Sequence, residues 1–191
     1  MAGGSTAKGS STRTRILAEA RAALVARGIQ GLVLREIAAS CDIKLGNLQY
    51  YFRTTEDLAL AVMAAEAEDD RTAMRERFDA AADPEAALRD LLRELVTRWR
   101  GESAAIYATL NVLSLHHEPY RALYQDNYLR HYALLEAAIE AARPGLAAAD
   151  YAERARLATA LVDGSPFQTR VGPKRAFVER VVDAACALAL T

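Results

Sequence analysis

Strand-forming signal is what this 191-residue sequence most lacks. β-branched residues are sparse, no stretch sustains a two-residue alternation, and alanine recurs throughout, so helix is favoured over sheet. Cysteine is almost as scarce. Cys41 and Cys186 lie far apart, without a CxxC or a zinc spacing, which excludes a disulfide framework and a zinc finger. Long apolar runs are missing too. Ala184–Leu190 falls well short of the roughly 20 residues a membrane span needs, so no membrane association is expected. Residues 1–11 are rich in Gly, Ser, Thr and Ala with no apolar stretch, and are expected to form a flexible arm rather than a secretory leader. The expected location is cytoplasmic. Catalytic fingerprints are equally lacking. There is no G-x-S-x-G, P-loop, dinucleotide glycine motif or HExxH, and Ser165 has no placed base. His116, His117 and His131 have no completing ligand, so no catalytic residue, metal or cofactor is assigned.

What is present is a globular composition, 52% apolar and 26% charged, on a chain long enough for a sizeable core. The net charge of −1 hides an asymmetry. Residues 1–55 carry eight Lys/Arg against three Asp/Glu (+5), and residues 56–191 carry sixteen against twenty-two (−6). A basic head on an acidic body implies two tasks, one of them facing a polyanion.

Punctuation divides the chain into about nine helices. The first runs from about Thr12 to Arg27, with Ile16, Ala20 and Leu24 on one face, and stops at Gly28. Leu34–Cys41 and Leu45–Tyr51 are short. Thr54-Thr55-Glu56-Asp57 is a capping box opening a long helix, and Asp83-Pro84 caps and starts the next. Longer helices follow, broken at Gly101, Glu118-Pro119, Arg143-Pro144-Gly145 and Val171-Gly172-Pro173. Gly164-Ser165-Pro166 falls inside a helix and is expected to kink or split it. The architecture is all-α.

The densest signal lies between Val33 and Phe52. Two seven-residue helices joined by Cys41-Asp42-Ile43 have the spacing of a helix-turn-helix. Leu34, Ile37 and Ala38 can pack against Ile43, Leu48 and Phe52, with Asp42 in the left-handed region at the turn. The second helix then presents Lys44, Gly46, Asn47, Gln49, Tyr50 and Tyr51 outward. Such a surface can donate to phosphates and reach base edges, and its glycine admits close backbone approach.

Thr12-Arg13-x-x-Ile16-Leu17, Gly28, Arg35-Glu36-Ile37-Ala38, Gly46-Asn47-Leu48-Gln49-Tyr50-Tyr51-Phe52 and Glu56-Asp57-Leu58 together resemble the N-terminal domain of TetR-family transcriptional regulators. The resemblance covers about Thr12–Met63. It implies a helix-turn-helix DNA-binding domain over residues 12–57 and an effector-binding and dimerisation domain over 58–191. It places Lys44, Leu45, Gly46, Asn47, Gln49, Tyr50 and Tyr51 on the DNA-facing recognition helix, with Arg13, Arg35 and Thr55 beside the phosphate backbone. Departures from the family pattern are Val33 and Lys44 at helix-capping positions and Thr55 at a frequent lysine position. The implied partners are a palindromic operator in double-stranded DNA, a small-molecule effector and a second copy of the chain. The implied function is a ligand-responsive regulator, most simply a repressor, and not an enzyme. A helical small-molecule binder or enzyme without a DNA role is the rival reading, and the +5 head with its outward polar side chains argues against it.

In the acidic body, Tyr120, Tyr124, Tyr128 and Tyr132 recur every four residues. An aromatic-lined effector pocket is expected from Trp99, Tyr107, Leu110, His117, Tyr124, Tyr128 and Phe167, favouring a neutral or cationic aromatic or amphipathic molecule. The last two helices carry apolar faces, and a two-fold interface is expected through Leu157, Leu161, Phe177, Val178, Val181, Val182 and Ala185.

Overall fold

Ile16, Ala20 and Leu24 stand one turn apart and are fully buried, and helix α1 (Gly4–Arg27) forms around them. A computed structural model describes residues 4–98, 101–169, 171–172 and 174–191 of the chain. The described residues form nine α-helices and one 3-10 turn, and no strand. Helix α1 begins at Gly4 rather than Thr12, so residues 4–11, expected as an arm, are helical. A helix already nucleated propagates at one hydrogen bond per residue, and nothing in 4–11 blocks it.

Gly28 ends α1 at a φ of 69°, with its N–H on the Leu24 carbonyl. The 3-10 turn Ile29–Gly31 follows. A Cβ on Gly31 would stand 2.5 Å from the Ala23 carbonyl oxygen, so only glycine lets this turn lie against α1. Helices α2 (Leu34–Ser40) and α3 (Leu45–Tyr51) bury Ile37, Ala38 and Leu48 against each other, with Phe52 closing the far end. Asp42 takes a φ of 52° between them, as the sequence requires.

Helix α4 (Thr55–Ala80) opens with the expected capping box. The Asp57 N–H donates to Thr54 Oγ1 and the Thr54 N–H to Asp57 Oδ2, both at 3.0 Å. Arg21 clasps the buried Glu66 carboxylate with two donors, tying α1 to α4. Asp83 caps α5 (Pro84–Arg98) through the Glu85 N–H, and α6 (Ser103–Ser114) and α7 (Glu118–Ala142) follow. The Tyr151 hydroxyl accepts from the Leu146 N–H and donates to the Arg143 carbonyl, closing the turn into α8 (Ala148–Gln168). Helix α9 (Lys174–Leu190) ends the chain.

Helix α8 does not split at Gly164-Ser165-Pro166. Pro166 lies in the last turn and cannot donate to the Val162 carbonyl, but Ser165 Oγ donates there instead at 2.7 Å. The neighbouring hydroxyl supplies the missing donor, so the helix continues.

Contacts divide the chain into two units, Met1–Glu66 with Ala105–Leu123, and Ala67–Ala104 with Tyr124–Thr191. The grouping is not the linear one expected at residue 57, because α6 and the start of α7 cluster with the head. In the second unit Leu88, Leu92, Leu135, Ile139 and Val162 are fully enclosed, with Ala138, Ala155, Ala158, Ala185 and Ala189 where the helices meet. Val178, Val181, Val182 and Ala185 of α9 belong to that core, and Leu161 and Phe177 pack partly against it. These residues, expected at a two-fold interface, contribute to the core of their own chain. An apolar stripe records that a face is covered, and here its own chain covers most of it.

Candidate nucleic-acid and effector sites

The turn between α2 and α3 positions the first site. Leu48 is fully buried and Phe52 nearly so, which rotates Lys44, Gly46, Asn47, Gln49 and Tyr50 into solvent. Tyr50 is 83% exposed, an unusual position for a large ring with nothing to cover it. Tyr51 is half-buried and stands edge-on to Tyr50 at 5.2 Å, holding that ring upright. Leu45 is half-buried at the start of α3. Arg13 lies over the Phe52 ring at 5.4 Å, so a cation from α1 is held beside the end of α3. Arg35 and Thr55 are exposed. Neither Val33 nor Lys44 caps its helix with a side chain, which leaves the first N–H groups of α2 and α3 without a side-chain acceptor. A Cβ built on Gly46 meets nothing, so packing does not require glycine there. The surface can donate hydrogen bonds to anionic oxygens and to base edges.

A second site lies on α7 and α8. Tyr124, Asn127, Tyr128 and His131 follow i, i+3, i+4, i+7 and share one helix face, which turns aliphatic at Leu134 and Leu135. The Tyr128 hydroxyl donates to Asp163 Oδ2 at 2.6 Å, and His131 Nε2 lies 3.1 Å from Thr159 Oγ1. Thr159 donates its own proton to the Ala155 carbonyl, so His131 is the donor and its Nδ1 is left as an acceptor. Burial lowers His131 to a pKa of about 4, with the Arg71 charge assisting, so the ring is neutral at pH 7. Burial raises the Asp163 carboxyl to about 6, although the Tyr128 hydroxyl works the other way. Burial and that carboxylate hold the Tyr128 phenol well above its ordinary value. Tyr124 and Tyr128 stack at 4.5 Å, Tyr132 follows 5.7 Å from Tyr128, and Arg156 lies over Tyr132. From α4, Arg71 reaches Asn127 Oδ1 at 3.4 Å, while Asn127 Nδ2 is buried without a partner.

The pocket residues expected from sequence are divided between the two units. Tyr107, Leu110 and His117 belong to the first unit, where Leu110 is buried and His117 is exposed beside Tyr120. Phe167 is 58% exposed on α8, and Trp99 lies outside the described residues. Of the expected set, Tyr124 and Tyr128 meet. An open cleft of about 500 Å³ between α4 and α5, floored by Met74, Phe78 and Leu91, holds none of them. Asn127, Asp163, Thr159 and Arg71 were not singled out in the sequence. The i, i+3, i+4, i+7 pattern of α7 could have added Asn127 and His131 to the face. No local pattern points to Asp163.

A buried helix-turn-helix core carrying an exposed polar recognition surface defines a DNA-binding class of protein. Residues 16–62 match the family model described as bacterial regulatory proteins, tetR family. Over 90 residues the chain is 42% identical to an uncharacterized HTH-type transcriptional regulator from the dhlA 5' region of Xanthobacter autotrophicus. That match covers 43% of this chain and 42% of that protein, less than half of either. A TetR transcription regulator from Haloarcula marismortui has the same fold, with a TM-score of 0.79 at 20% identity over 94% of this chain and 97% of its own. A Saccharomonospora viridis protein solved in complex with choline superposes with a TM-score of 0.73 at 22% identity, covering 92% and 94%. The likeness to the tetR family model is thus confined to the N-terminal helices, and the likeness over the remaining length is one of fold.

Proposed function

We propose that this chain is a homodimeric repressor that binds a palindromic operator through α3 and is released by a small molecule. The observation that carries the reading is the exposed set Lys44, Gly46, Asn47, Gln49 and Tyr50 above a buried Leu48 and Phe52. Lys44 and Arg13 would meet phosphates, and Asn47, Gln49 and Tyr50 would meet base edges and methyl groups in the major groove. Two copies of such a head read half-sites about 34–36 Å apart.

The pairing of copies is supported by a second face of α8. Leu157, Ala160, Gly164 and Phe167 share a face, all exposed, opposite the core residues Ala158 and Val162. Leu188 of α9 is also exposed, at 40%. Effector binding is assigned to the α7–α8 cluster, whose buried polar atoms are not all paired. The choline held by the Saccharomonospora viridis protein supports a small-molecule role for this fold.

Fluorescence anisotropy on DNA taken from upstream of the chain's own gene tests the reading. Tight binding whose logarithm falls linearly with log salt, and which survives excess nonspecific competitor, is the expected outcome. Equal affinity for competitor and upstream DNA would reject it.

A further inference from the structure

We propose that the effector is an organic cation, with the Asp163 carboxylate as its counter-ion and the rings of Tyr124, Tyr128 and Tyr132 around the charge. The proposal rests on reading the α7–α8 cluster as the effector site.

A carboxylate withdrawn from water is stable only when a cation or several donors replace the lost hydration. Asp163 has a donor in the Tyr128 hydroxyl, at 2.6 Å, and among the described residues no ion pair reaches it. The cations of the neighbourhood are engaged elsewhere. Arg156 lies over the Tyr132 ring, and Arg71 pairs with Glu68 while reaching Asn127. Neutral His131 supplies no charge. A negative charge is thus held on the hydroxyl of Tyr128, the middle ring of the Tyr124, Tyr128 and Tyr132 row, and no ion pair to it is found among the described residues. Aromatic faces attract cations through their quadrupole, and the attraction grows once water is excluded.

A second observation points to a ligand independently. Asn127, 9% exposed, keeps its Oδ1 on Arg71 but leaves both Nδ2 protons without an acceptor. A buried amide donor of this kind is costly unless something completes it. Asn127 precedes Tyr128 and shares the helix face of Tyr124. A monocation bearing a hydroxyl, ether or carbonyl oxygen would satisfy both groups, its charge on Asp163 and its oxygen on the amide. An anion would meet the carboxylate head-on, and a neutral molecule would leave the charge without compensation.

The experiment uses the purified full chain, thermal shift and titration calorimetry, and three probes. These are choline, its neutral isostere 3,3-dimethylbutan-1-ol, and the larger cation benzyltrimethylammonium. At least one cation is expected to raise the melting temperature, and choline to bind at least about tenfold tighter than its isostere. In Asp163→Asn, which keeps the shape and an acceptor for Tyr128, that preference should fall to near unity. The inference is overturned if neither cation binds, if choline and its isostere bind alike in the parent, or if Asp163→Asn keeps the preference. The isostere comparison needs no variant, so a misfolded mutant cannot hide the answer. Operator release, read separately, distinguishes the two proposals. Asp163-dependent cation binding that leaves DNA bound would reject the regulatory reading alone. Release of operator by a neutral molecule that ignores Asp163→Asn would reject the cation alone.

Discussion

The recognition surface on α3 and the polar cluster between α7 and α8 solve opposite problems. On α3 the apolar groups are inside and the polar groups outside, so chemistry and stability sit on different faces of one short helix. On α7 and α8 the chemistry sits within the packing, and Tyr128, Asp163, His131 and Thr159 both join the helices and shape the site. Mutations on α3 should therefore separate binding from folding, whereas mutations in the cluster should move both.

The largest effect is expected from α9, whose apolar stripe is buried in the chain's own core. Val182 is fully buried in the core, so Val182→Glu buries an unpaired charge and should unfold the chain, at a cost of several kcal/mol. Leu157 is 47% exposed on the outer face of α8. Leu157→Glu should leave circular dichroism and thermal melting near the parent's while shifting sedimentation from dimer to monomer. A folded, monomeric Val182→Glu would restore α9 as the principal interface.

Next in size are the α3 contacts. Tyr50→Ala and Lys44→Ala should each weaken operator binding by about 1–3 kcal/mol while stability stays within about 0.5 kcal/mol. Lys44→Ala should also reduce the salt slope by about one, because a phosphate contact releases about one counterion. Equal loss of stability and binding would place these side chains in the fold rather than on its surface.

The recognition unit was legible because its determinants are local. Thr54 and Asp57 cap each other across three residues, Asp42 turns the chain by its own φ, and Leu48 and Phe52 fix the outward face of a seven-residue helix. The cluster depends instead on which helix lies against α7. Tyr128 and Asp163 are 35 residues apart, and no window around either one announces the other. The α9 stripe shows a related limit. Val178, Val181, Val182 and Ala185 would have the same spacing whether a partner or the chain's own α5 and α8 covered them. The helix does not split at Gly164-Ser165-Pro166 for a chemical reason, since Ser165 replaces the donor that Pro166 removes.

The cluster can be tested through pH, and the signs oppose. Asp163 titrates near 6 in the folded chain against an ordinary 3.8, so between about pH 4 and 6 the folded state holds the extra proton. Stability from this group is therefore lost as pH rises through that window. His131 titrates near 4 against an ordinary 6.5, so the unfolded state holds the extra proton and stability rises from about pH 4 to 6.5. The parent should show a shallow profile in chemical denaturation. Asp163→Asn should gain stability relative to it on going from pH 4 to 6, and His131→Asn should lose it, each by about 1–2 kcal/mol. Parallel profiles for parent and both variants would remove these groups from the folded-state electrostatics.

The smallest effect separates binding from folding most directly. Gly46 is exposed on α3, its φ is not positive, and a Cβ there would meet open space. Glycine in a helix costs about 0.5–1 kcal/mol relative to alanine, because the unfolded chain has more freedom to lose. Nothing in the fold recovers that cost, so Gly46→Ala should raise the melting temperature. If the reason for glycine is backbone approach to DNA, the added methyl stands where a phosphate or base edge would lie, and operator affinity should fall as stability rises. Thermal melting and anisotropy on the same preparation read the two signs together. A Gly46→Ala chain that melts higher and binds operator at least as well as the parent would show that this position faces no partner closely. The recognition surface would then shift toward Gln49 and Tyr50.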